Sequence, residues 1–193
     1  MAITGLFLCL FLFFHLIDNL MIYRGKEAFE GHVKFLHSFP VFVSFFEILL
    51  VFFSLLHVFF GIYLFYQNQK ARPVRYSVRR SAGGKTLSST LMPYTGLYIL
   101  FFVIVHLINF RFSIKEESLY ELLRTSFSNP LYVLYYVFTM IVVALHVRHG
   151  FWSAFQTLGL NHPKYMPFIE KAGIAFAIIL TLCLGSIPLY FYF

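Results

Sequence analysis

The sequence predicts an all-α fold, a transmembrane bundle of five helices forming one integral membrane domain over residues 1–193, and three observations predict it. First, 60% of the residues are hydrophobic and only 12% are charged, about half the charged share of a soluble domain. So few charges cannot cover a water-facing surface. Second, 27 Phe and 13 Tyr demand burial, which excludes disorder. Third, five apolar stretches reach the ~20 residues that a helix needs to cross a bilayer: roughly 2–23, 40–66, 91–112, 130–156 and 167–192. They are continuously apolar rather than alternating, which excludes the strands of an outer-membrane barrel.

The first span runs from the chain start through His15 to polar residues without a small-residue cleavage site, so it reads as a retained helix rather than a signal peptide. The other four open on Pro40, Pro93, Pro130 and Pro167, residues suited to a first helical turn because their missing N–H would have no partner there. Ser38 and Asn129 stand just ahead as caps. Cys9 and Cys183 lie far apart in apolar runs and make neither a disulfide framework nor a metal pair.

Orientation follows from Lys and Arg in the connecting loops. The second loop holds Lys70, Arg72, Arg75, Arg79, Arg80 and Lys85 with no acid, and the fourth side adds Arg148, Lys164 and Lys171 against Glu170. On the opposite side Arg24, Lys26, Lys34, Arg111, Lys115 and Arg124 are balanced by Asp18, Glu27, Glu30, Glu116, Glu117 and Glu121. The even loops are therefore expected in the cytoplasm, the N-terminus inside and the C-terminus outside. The net charge of +7 thus reads as a topology signal rather than a nucleic-acid surface. Gly84-Lys85-Thr86 imitates the end of a phosphate-binding loop, but Arg79 occupies the place of the required earlier glycine.

Four of the eight histidines fall inside spans: His15, His57, His106 and His146. Imidazole in hydrocarbon is costly and by default marks a function. At about 1.5 Å per residue, His57 lies roughly 25 Å along its helix from Pro40, and His146 roughly 24 Å from Pro130. These two meet near the inner side. His15 and His106 each stand about 20 Å into outward-running helices and meet nearer the outside, about 15 Å from the inner pair. A bis-imidazole pair at each of two levels is what two haems b require, each iron taking an axial His from two helices. The outer pair reads His15-Leu-Ile-Asp-Asn and His106-Leu-Ile-Asn; the inner pair ends on Gly61 and Gly150, four residues after His57 and His146. A glycine one turn on, on the same helical face, lets a flat macrocycle approach the backbone. His149 competes with His146 as an inner ligand, but His146 alone shares the spacing of His57 to its glycine.

The chain resembles the five-helix, di-haem cytochrome b subunit that anchors succinate dehydrogenase or fumarate reductase in bacteria using menaquinone. The resemblance covers nearly the whole chain. It rests on His15-Leu-Ile-x-Asn, Glu47 ten residues before His57, the Lys70-Ala-Arg-Pro-Val loop and, most specifically, His149-Gly-Phe-Trp-Ser-Ala-Phe-Gln-Thr-Leu-Gly159. It implies that His57 and His146 bind the proximal haem, and His15 with His106 the distal one. It also implies a bacterial inner (cytoplasmic) membrane location in the respiratory chain and tricarboxylic acid cycle, with a flavoprotein subunit and an iron–sulfur subunit docked on the cytoplasmic face. Family members usually carry a polar, basic leader before the first helix; this chain starts at Met1-Ala-Ile-Thr-Gly-Leu, so no contact of such a leader is carried over.

The expected function is a quinone-reactive electron conduit, a subunit of an enzyme complex that does not itself act on succinate or fumarate, since the chain has no dinucleotide fingerprint and no cysteine cluster. Rival readings are the cytochrome b anchor of a hydrogenase or formate dehydrogenase, and a transporter whose histidines relay protons. Glu47 is an acid placed in the middle of an apolar run, about 10 Å below the outer end of its helix and level with the outer pair. A carboxyl there is expensive to leave ionised, which fits it for proton exchange with a quinone.

Overall fold

The computed structural model describes residues 1–71, 87–113 and 118–193. Among them all regular structure is helical: α1 (Ala2–Leu20), α2 (Lys26–His37), α3 (Pro40–Lys70), α4 (Leu87–His106), α5 (Leu119–Ser126), α6 (Pro130–Thr157) and α7 (Met166–Tyr192). Five stretches are long and apolar enough to cross a membrane: Ala2–Arg24, Pro40–Lys70, Ser89–Arg111, Pro130–Thr157 and Met166–Tyr192. They coincide with the five expected from the sequence.

Two of the predicted helix starts need correction. α3 does open on Pro40, but its cap position is Phe39 without a side-chain bond, and Ser38 instead closes α2. α4 starts at Leu87, so Pro93 lies inside the helix rather than at its entrance. The cap predicted at Asn129 is present: its Oδ1 accepts from Leu131 N at 2.9 Å, and Pro130 follows where a proline costs no hydrogen bond. α7 likewise has Pro167 in its first turn. Two helices were not anticipated. α2 and α5 lie in the first and third connections, polar on one side, with Phe29 buried in α2 and Leu122 and Leu123 in α5.

α6 is the centre of the bundle. It packs most extensively on α7, then on α4 and α1, and buries residues along its whole length from Val133 to Ala154. The core runs through Leu16, Phe102, Tyr136, Met140, Val143, Val147 and Leu180. α3 differs: it touches α1, α4 and α2 yet has no buried residue, so its apolar surface, with Val41, Ile48, Leu55 and Ile62 exposed, has the composition of a lipid-facing helix. The basic second loop lies largely outside the described residues, including Arg72, Arg75, Arg79, Arg80 and Lys85, as do Lys115, Glu116 and Glu117.

Candidate functional site: two histidine pairs between two repeats

The four intramembrane histidines come together in twos. The rings of His57 (α3) and His146 (α6) have centres 6.4 Å apart with planes at 70°. Those of His15 (α1) and His106 (α4) are 6.1 Å apart at 86°. Along α1, the residue that touches His57 is Thr4, eleven positions before His15, which sets the two levels about 16 Å apart. His149 is elsewhere: its ring packs edge-on against Trp152 at 5.4 Å, and its Nδ1 is buried without a hydrogen-bond partner among the described residues.

At the inner level each imidazole is seated on a Thr-Gly pair of a neighbouring helix. Thr4 Oγ1 lies 3.0 Å from His57 Nδ1, and Thr95 Oγ1 lies 3.1 Å from His146 Nδ1. Both threonines are buried, at 5% and 8% exposure. A Cβ on Gly5 would come within 3.3 Å of His57 Cε1, and one on Gly96 within 3.4 Å of His146 Cε1, so glycine is what lets each ring edge approach the helix backbone. Gly61 and Gly150 face softer neighbours, the methyl ends of Met1 at 3.4 Å and Met92 at 4.0 Å.

Around the outer level the two rings have unlike surroundings. Phe11 and Phe102, each four residues before its histidine, stack on His15 and His106 at 5.2 and 5.6 Å. His106 Nδ1 then meets Tyr136 OH at 3.2 Å, Tyr132 OH donates to Tyr136 OH at 3.2 Å, and Asn109 Nδ2 donates to Tyr132 OH at 2.7 Å. Among the described residues the hydrogen-bonding neighbour of His15 is Asn19, whose Nδ2 donates to the His15 carbonyl at 2.7 Å and lies 3.4 Å from both ring nitrogens.

Glu47 is paired with Arg111. Arg111 donates from Nε to Oε1 at 2.9 Å and from Nη2 to Oε2 at 3.0 Å, a two-pronged pair of the strong kind. Arg111 closes a π-helical turn, Leu107–Arg111, directly after His106; such wide turns redirect side chains and gather at functional sites. Asp18 Oδ1 similarly meets His32 Nε2 of α2 at 2.9 Å.

These contacts expose an internal repeat that paired motifs around the histidines only hinted at. Met1, Thr4, Gly5, Leu6, Phe11, His15, Leu16 and Ile17 recur at a constant offset of 91 as Met92, Thr95, Gly96, Leu97, Phe102, His106, Leu107 and Ile108. In the second helix of each unit Leu56, His57, Val58 and Gly61 recur at an offset of 89 as Leu145, His146, Val147 and Gly150. Each threonine grips the histidine of its own unit, while each histidine pair is formed between units. A search for self-similarity would have found Thr4, Gly5, Thr95 and Gly96. Tyr132, Tyr136 and Arg111 carry no such signal, since only folding brings Tyr136 to His106, Tyr132 to Asn109 and Arg111 to Glu47.

Two imidazoles facing one another suit a single metal ion. His57 with His146 and His15 with His106 would be the nitrogen donors to a metal held at each level. Among the described residues no three or more His, Cys, Asp or Glu converge as a metal cluster, so each level offers two imidazole nitrogens, a donor set that would suit a haem.

Five apolar spans carrying two stacked histidine pairs define a membrane-spanning helical bundle. Comparison with known proteins agrees: the chain is 28% identical to the "succinate dehydrogenase cytochrome b558 subunit" of Bacillus subtilis (strain 168) over 154 residues, which is 79% of this chain and 73% of that protein. No family model matches the chain, and no solved structure matches it significantly. This similarity supports a relationship to the cytochrome b anchors of succinate dehydrogenase.

Proposed function

We propose that this chain is the haem- and quinone-binding membrane subunit of a succinate:quinone oxidoreductase or quinol:fumarate reductase, carrying electrons through two haems b between an iron–sulfur subunit and menaquinone. The observation that carries the reading is the pairing of His57 with His146 and of His15 with His106, which offers two imidazole nitrogens at each level. The relative's printed name supports the complex and the cytochrome b type. When bound, haem b supplies one-electron exchange without uptake of the substrate.

The chain's own residues do the rest. His57 and His146 would ligate the inner iron and His15 and His106 the outer one. Gly61 and Gly150, bordered only by flexible methionine ends, leave room for the macrocycle beside the inner ligands. Glu47, held by Arg111 beside the turn that follows His106, is the candidate for proton exchange with the quinone, whose reduction takes up two protons and whose oxidation releases two. The flavoprotein and iron–sulfur subunits supply the succinate or fumarate chemistry and dock at the basic end, which faces the cytoplasm of a bacterial inner membrane and leaves the C-terminus outside. The whole chain acts as one integral membrane domain. A pyridine haemochrome assay on the purified complex is the test: two haems b per chain are expected, and one or none would refute the reading.

A further inference from the structure

We infer that Thr4 and Thr95 are positioning residues that fix the tautomer and donor strength of the inner-pair histidines, so that the Thr-Gly repeat tunes the inner haem. This rests on the haem reading above. Each hydroxyl has one hydrogen, and each spends it on its own helix: Thr4 Oγ1 donates to Met1 O at 2.8 Å, and Thr95 Oγ1 donates to Leu91 O at 3.0 Å and Met92 O at 3.1 Å. Towards His57 Nδ1 and His146 Nδ1 the oxygen can then offer only a lone pair. Each imidazole must therefore be the donor, with its hydrogen on Nδ1, and Nε2 is left as the bare nitrogen that a metal requires. An acceptor on the far nitrogen fixes ring orientation and raises the ligand's basicity.

Three features make this more than ordinary packing. Both threonines are among the few buried polar residues. Gly5 and Gly96, the next residues, permit the ring edges to approach. The whole arrangement occurs twice, at the same place in each repeat. Among the described residues no Thr-Gly pair holds His15 or His106; the hydroxyl near His106 Nδ1 is that of Tyr136, at 3.2 Å.

The test compares Thr4→Val and Thr95→Val with Thr4→Ser and Thr95→Ser in the intact complex. Haem per chain, the midpoint potential of the inner component and its low-spin electron paramagnetic resonance signal are measured. Valine keeps the shape and removes the acceptor, so imidazole becomes a weaker donor and the oxidised form is less favoured. The expected change is about tenfold in the oxidised-to-reduced balance, a rise of about 59 mV for a one-electron couple, with an altered low-spin signal and with serine restoring both. Loss of the inner haem in the valine variants with retention in the serine variants supports the same role. An unchanged potential and signal in the valine variants overturns it, as does equal loss of haem in valine and serine variants, which would assign both residues to packing. Failure of the haem reading itself is separate, because it would show as fewer than two haems in the unmodified complex.

Discussion

The inner and outer histidine levels are made from the same two repeats, yet only the inner one keeps their symmetry. At the inner level Thr4 with Gly5 and Thr95 with Gly96 treat His57 and His146 alike, and each hydroxyl is locked by a main-chain carbonyl. At the outer level the stacked Phe11 and Phe102 still match, but the partners contributed by the second helices do not. The repeat places Glu47 opposite Tyr136, both ten residues before an inner histidine. Tyr136 reaches His106, whereas Glu47 turns to Arg111. A site that only relays electrons has no use for different sides. One that binds an asymmetric molecule and handles protons does, and this difference supports the proposal that quinone binds at the outer level.

The largest effects should come from the ligands. His57→Ala or His146→Ala is expected to remove one and the same spectral component, and His15→Ala or His106→Ala the other, leaving one haem per chain in each variant. His149→Ala should leave both, since that ring lies against Trp152. Retention of the inner component in His146→Ala together with its loss in His149→Ala would reverse the assignment of that ligand.

Next in size are changes to the polar partners of the outer level. Glu47→Gln keeps the shape but cannot exchange the proton, so quinone-linked turnover should fall roughly a hundredfold, within the range of general acid–base contributions, while both haems and dye-linked succinate oxidation persist. Arg111→Gln should reproduce much of the loss by releasing Glu47, and the double variant should be no worse than the worse single one. Full quinone turnover in Glu47→Gln would leave the ion pair a purely structural clasp. Tyr136→Phe should act more weakly. It removes the hydroxyl between Tyr132 and His106, so the outer component's potential should move while haem content stays at two, and the inner component should not respond.

Much of this molecule was legible in its sequence because the bilayer imposes simple rules. Continuous apolar length gave the five spans, and histidines at equal depth gave the two pairs, since a helix converts residue number directly into height. Depth says nothing about direction around a helix, and that is where the reading stopped. It placed Glu47 at the outer level but left its pairing with Arg111 unseen, because the π turn after His106 has no sequence mark. It named Gly61 and Gly150 for room beside a macrocycle but not Gly5 and Gly96, where the imidazole edges come close to the adjacent helices. It also read the first and third connections as loops, overlooking α2 and α5, whose apolar faces are too short to stand out beside the spans.

The smallest expected effect concerns those two helices, which join the repeats at the outer end. Lys26 at the start of α2 donates to Glu121 of α5 at 2.7 Å, and Arg124 stands 4.0 Å away from the same carboxylate. The hydrogen bond from Lys26 holds the Glu121 carboxyl below its ordinary range and raises the Lys26 ammonium above its own. A depressed carboxyl pKa stabilises the folded form above the ordinary carboxylate value, and this contribution disappears as pH falls through the lowered one. Raising the pH should weaken the clasp only when it passes the raised value of Lys26. Both side chains face solvent, where such pairs contribute little and salt screens them. Lys26→Ala should therefore leave haem content and turnover unchanged. It should, however, increase amide hydrogen exchange in α2 and α5 near neutral pH, and acidification should produce the same loosening in the unmodified chain. A fall in quinone turnover in Lys26→Ala would mean that the outer site depends on how the two repeats are tied together, not only on the side chains within them.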